Sequence, residues 1–194
     1  SFSRGLPYLA GHDAYSLGEF SRALDYAHES IRFGEESKDA QVLCWGFQLA
    51  GFPLTCLGRY EEAIASFQKA RDLAEAIPDF MSRLIAGDGL GWSYLRQGDL
   101  ENSKAAIEDS ERYRVEHALP GRQHAFHWFV HAGLCLAKAE RVNGQERSDW
   151  LKKARELCKK ALKSSRSFEA HRPEARRNQG TYEWLKGRQA SARK

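Results

Sequence analysis

Five times along this chain a glycine is followed seven positions later by a second glycine or, once, by a glutamate. The pairs are Gly11 and Gly18, Gly51 and Gly58, Gly91 and Gly98, Gly133 and Glu140, and Gly180 and Gly187. Their first members are 40, 40, 42 and 47 residues apart, so one structural unit recurs and must stack on its neighbours to bury its apolar face. One continuous array is therefore expected in place of independent domains with separate cores. The 194 residues are expected to form a single repeat domain, with units at about 4–38, 44–78, 84–118, 124–166 and 170–194.

Apolar residues between the glycines recur at helical spacing, and no segment sustains strand-like alternation. In the second unit Val42, Trp45, Leu49, Phe52 and Cys56 mark one helix. Tyr60, Ala63, Ile64, Phe67 and Ala70 mark another, which stops at Ile77-Pro78. Each unit therefore reads as two antiparallel helices around a tight turn. The glycine that ends the first helix suits a left-handed cap, where a Cβ is costly. Its partner seven residues earlier lies inside the helix, at a cost of ~1 kcal/mol relative to alanine. Close approach of the second helix is the compensation expected there. In the fourth unit Glu140 stands at the capping position, and an insertion at 143–148 is expected to loosen the turn.

These units resemble tetratricopeptide repeats, whose pattern is an aromatic, L-G-x2-Y, A-x3-F and then proline. Leu90-Gly91-Trp92-Ser93-Tyr94 carries the first part. Phe47, Ala50, Gly51 and Leu54, with Gly58-Arg59-Tyr60-Glu61-Glu62-Ala63 and Phe67, carry nearly all of it. The match is strong in units two and three and weak in one and five. The period departs from the family's 34 residues, and six more residues lengthen each helix by ~4.5 Å. Long repeats of this kind resemble those of bacterial signalling and regulatory proteins. The resemblance implies an all-α, right-handed superhelix (an α-solenoid) of four complete hairpins and a truncated fifth.

In that family the first helices line a concave groove that holds a peptide or a partner's helix. Carried over by position, the groove would present Tyr8, His12 and Tyr15, then Trp45, Gln48, Phe52 and Thr55. Ile85, Asp88, Trp92 and Arg96 follow, and then His127, Val130, His131 and Lys138. Aromatics and arginine are where binding energy concentrates. The competing role for Trp45, Phe52 and Trp92 is packing between successive first helices. For the group, partner binding is favoured.

Chemistry-bearing motifs are few. There is no glycine-rich phosphate loop, no GxSxG element and no HExxH element. His124, His127 and His131 share a helical face, but no carboxylate accompanies them, so no metal ligand and no cofactor is assigned. Carboxylates such as Glu35-Glu36 and Glu61-Glu62 fall near second helices, where charge is ordinarily solvation. Cys44, Cys56, Cys135 and Cys158 stand singly in apolar-periodic segments and are expected to be reduced and buried. The N-terminal residues lack the features of a signal peptide, and no apolar run is long enough to span a bilayer.

Charge is unevenly spread. Residues 1–151 hold 16 Lys/Arg and 22 Asp/Glu, whereas residues 152–194 hold 14 and 4. The amphipathic pattern of Leu151, Ala154, Leu157, Cys158 and Ala161 makes a solvated outer face the ordinary reading of the nearby lysines. An acidic partner is the next reading, and nucleic acid the least favoured. The sequence thus predicts a cytoplasmic, non-catalytic protein-interaction or sensor module, with homodimerisation as the alternative. The helix still in progress at Trp184 to Lys194 and the absence of an initiator methionine suggest part of a longer protein.

Overall fold

The computed structural model describes residues 5–119, 125–166 and 171–192, and every regular element among them is helical. The chain divides into two compact units, Ser1–Leu119 and Pro120–Lys194. The first contains α1 (Leu6–Ser16), α2 (Phe20–Ser37), α3 (Ala40–Cys56), α4 (Tyr60–Ala76), α5 (Phe80–Gln97) and α6 (Leu100–Glu116). The second contains α7 (Ala125–Arg141), α8 (Gly144–Ser164), α9 (Arg172–Leu185) and the short α10 (Gln189–Ala192).

Helix boundaries in the first unit follow from local chemistry. Asp39, Asp79 and Asp99 sit one residue ahead of α3, α5 and α6, and their carboxylates accept backbone N–H bonds from Gln41, Ser82 and Asn102 at 3.0–3.1 Å. These caps satisfy donors that the first helical turn leaves orphaned. At the far ends, Gly58 and Gly98 hold φ of 77° and 92°, the left-handed conformation expected of a capping glycine. Turns of two or three residues leave consecutive helices antiparallel, and each packs on the next. α1 also meets α3, and α3 meets α5.

Two clusters fill the interior of this unit. One gathers Leu24, Ala27, Leu49, Ala50, Leu54 and Ala63; the other gathers Cys44, Ala70, Ala74 and Ala86. Between them lies Phe67 of α4, fully buried, its ring gripped edgewise by two glycines. A Cβ on Gly51 of α3 would lie 2.5 Å from Cε2, and one on Gly89 of α5 would collide with the opposite Cδ1–Cε1 edge. In the third hairpin Ile107 fills the corresponding space at Gly91. In the first, Ala27 stands where Phe67 would, and Leu49 of α3 fills the space at Gly11. The void beside Gly11, Gly51 and Gly91 is thus filled by whichever neighbour is large.

Arg83 ties three helices together. Its Nε donates to Glu75 Oε1 of α4 at 2.6 Å and its Nη2 to Asp109 Oδ2 of α6 at 2.7 Å, while its side chain is only 8% exposed. The guanidinium lies 4.8 Å from the Tyr113 ring centroid, a cation–π distance.

In the second unit α7 packs on α8, and α9 packs on both. Asn178 of α9 donates from Nδ2 to the Phe129 carbonyl at 2.7 Å inside this core. The insertion does not loosen the turn. α7 runs through Glu140 to Arg141, only residues 142–143 link it to α8, and residues 144–148 supply the first turn of that 21-residue helix. With no glycine demanding a left-handed stop at 140, the helix simply continues.

Among the described residues, no helix is long and apolar enough to cross a membrane.

Candidate functional site

Aromatic side chains from α1 and α3 form one connected run in the first unit. Tyr8 and Trp45 have ring centroids 5.5 Å apart; Tyr8 meets His12 edge-on at 5.2 Å. His12 reaches Phe52 at 6.4 Å, and Phe52 meets Tyr15 at 5.5 Å. Spacings of four and three residues put Tyr8, His12 and Tyr15 on one face of α1, while Trp45 and Phe52 share a face of α3 through a spacing of seven. Offset and tilted ring contacts at these distances stabilise such a cluster beyond its buried area.

The run has an accessible edge and a buried back. Tyr8, His12, Tyr15 and Trp45 are half-buried, whereas Phe52 is buried against Phe67. Gln48, Thr55, Asp88 and Trp92, expected to face a groove, are likewise interior side chains. At Gln48 and Thr55 the direct packing of α3 on α5 closes the seam that separated first helices would leave open. Gln48 uses that burial, donating from Nε2 to the Ser82 carbonyl at 2.7 Å. Ile85 and Arg96 remain half-buried on α5.

His127 and His131 belong to the second unit. Their ring centroids are 5.9 Å apart; His127 is buried with Val130, and His131 and Lys138 are half-buried. His124 lies outside the described residues. Among the described residues, no group of three or more His, Cys, Asp or Glu side chains is placed to hold a metal ion.

The accessible edge is uncharged at neutral pH. Burial pushes the Tyr8 phenol up to about 12, with Cys44 and Asp79 adding to the effect. Burial also lowers the His12 pKa below its ordinary 6.5, against a smaller opposing influence of Asp13. Such a surface offers aromatic area with hydroxyl, indole and imidazole hydrogen-bonding groups at its rim, with the carboxylates of Asp13 and Asp79 close enough to act on it. Beside it, Gln41 Nε2 donates to Asp79 Oδ2 at 2.6 Å, joining the starts of α3 and α5.

The three buried thiols, Cys44, Cys135 and Cys158, are ill-suited to nucleophilic chemistry. Burial raises Cys44 to about 11 and both Cys135 and Cys158 to about 12, so all three stay protonated near neutrality. Cys56 is only half-buried, short of the full burial expected.

Sequence reasoning missed the outward side of α1, where Leu6 and Leu9 are 52% and 57% exposed. The signal was present, because α1 is apolar on more than the face that α2 and α3 can cover. No protein-family model and no curated protein matches this chain.

Proposed function

We propose that the chain is a tetratricopeptide-type α-solenoid module that binds a peptide or helix of a partner protein without catalysis. Its place would be in a larger, cytoplasmic signalling or regulatory protein. The carrying observation is the connected run Trp45–Tyr8–His12–Phe52–Tyr15, half-accessible along one edge and uncharged there. Rigid aromatic side chains backed by a packed core supply contact area at little cost in conformational entropy. The recurring hairpins, their left-handed caps and the direct α1–α3 and α3–α5 packing support the solenoid reading.

The test is selection of a random peptide library on the full chain, followed by affinity measurement of the selected peptides. Tyr8→Ala with Trp45→Ala should abolish retention in a protein that circular dichroism still shows to be helical and folded at the assay temperature, with a lowered melting temperature because Tyr8 also packs on the core. Undiminished binding by the double variant would refute the site.

Self-association is the second reading, favoured by Trp184, 55% exposed on α9. Sedimentation across concentration separates the two, because a partner-binding monomer remains monomeric without its partner.

A further inference from the structure

The division of the chain into two units is also a division of charge. Residues 1–119 carry 12 Lys/Arg and 19 Asp/Glu, net −7; residues 120–194 carry 18 and 7, net +11. Both units pair some of their surface cations locally, Arg177 with Glu174 and Arg188 with Glu183 in the second. In the first, Arg22, Arg59, Lys104, Arg112 and Arg114 each pair with a carboxylate three or four residues away. Around these residues the surface charge is internally neutralised.

The face of α8 is not. Lys152, Lys153, Arg155, Lys159, Lys160 and Lys163 are all exposed, and Glu156 is the one carboxylate between residues 152 and 163. Lys159 takes that carboxylate at 2.9 Å, and the surrounding cations hold its pKa below the usual range, Lys159 first through its hydrogen bond. Among the described residues Lys152, Arg155 and Lys163 have no carboxylate within ion-pair distance. Lys160 stands 4.5 Å from the Trp128 ring centroid and Lys153 5.8 Å from that of Trp150, contacts that orient an ammonium without neutralising it.

We propose that this face of α8 binds nucleic acid through the sugar–phosphate backbone, independently of sequence. Net charge from 152 to 163 is +5 over about 16.5 Å of helix, one per about 3.3 Å, against one phosphate per about 3.4 Å along a strand. An acidic protein partner fits less well, because the cores of protein interfaces are depleted of charge, whereas this face exposes six cations within twelve residues. An anionic bilayer fits less well too. Membrane-surface helices bury their apolar stripe in lipid, and here Leu151, Ala154, Leu157, Cys158 and Ala161 are buried within the protein.

The experiment measures binding of the full chain to a fluorescent 20-nucleotide single strand, and to its duplex, over 50–300 mM salt. The parent is expected to bind with a steep linear fall of log K against log salt. Lys152→Gln with Lys159→Gln and Lys163→Gln should weaken binding at least tenfold and make the slope shallower by about 2 to 3. Arg32→Gln with Lys38→Gln and Lys104→Gln, an equal change of charge in the first unit, should alter neither. Circular dichroism melts confirm that both variants are folded. Absence of binding by the parent, or unchanged affinity and slope in the α8 variant, would overturn the proposal. So would equal or tighter binding to polyglutamate or phosphatidylserine vesicles at matched salt.

Discussion

Thr55 and Ser93 lie 38 residues apart in sequence and 2.8 Å apart across the α3–α5 seam, both hydroxyls fully buried. Thr55 Oγ1 is also 2.8 Å from the Gly51 carbonyl, and Ser93 Oγ 2.9 Å from that of Gly89. Each hydroxyl has one proton, so two of these three contacts can be hydrogen bonds at any moment. Whichever hydroxyl donates across the seam gives up its own carbonyl. The pair therefore links the two helices through either of two proton arrangements. Thr55→Val and Ser93→Ala are each expected to cost about 1 kcal/mol of unfolding free energy. Their double-mutant cycle should give a coupling of at least about 0.5 kcal/mol; additive costs would show that the cross-seam bond contributes nothing.

The same 38-residue register joins Gln41 to Asp79 and Gly51 to Gly89. Alanine at Gly89 or Gly51 must displace the Phe67 ring and is expected to destabilise the fold by about 1–3 kcal/mol. If the ring is the cause, Gly89→Ala should cost less in a Phe67→Leu background than alone. Equal costs in both backgrounds, measured by urea denaturation, would place the strain elsewhere.

How far the sequence reaches is visible at these positions. The 40-residue period was legible because it measures which residues are equivalent, and Gly51:Phe67 and Gly91:Ile107 are equivalent contacts. Neighbours across the seam instead differ by 38, an offset set by the stagger of packed helices and invisible to any comparison of one unit with the next. Gly89 consequently escaped notice as the second jaw on Phe67. The aromatic cluster of α1 and α3 was legible from register alone. The burial of Gln48 and Thr55 was not, because it depends on how closely α3 approaches α5. At 143–148 a longer segment read as a looser turn, when the added residues had a helix to join.

Removing Arg83 should loosen three helices together. Its side chain is nearly sequestered, but Glu75 and Asp109 are 53% and 35% exposed, so water recovers part of what the carboxylates lose. Arg83→Met is expected to cost about 1–3 kcal/mol and to raise amide exchange at the start of α5 and the end of α6. Confinement of faster exchange to α5 alone would argue against a three-helix tie.

His12 gives the aromatic run a pH dependence. Burial lowers its folded pKa below 6.5, so over the interval beneath 6.5 the unfolded chain binds more protons than the folded one. Stability from this residue is complete above about 6.5 and declines as pH falls. The melting temperature of the parent should therefore drop more between pH 7.5 and 5.5 than that of His12→Gln. Parallel profiles would mean that His12 titrates alike in both states.

The central claim is that Tyr8 and Trp45 anchor a partner, and it is tested most directly by calorimetric titration of a library-selected peptide into the parent and into Tyr8→Ala/Trp45→Ala. A loss of tenfold or more in affinity, in a variant that remains folded at the temperature of the titration, is the expected result. Equal affinities for the two proteins would contradict it.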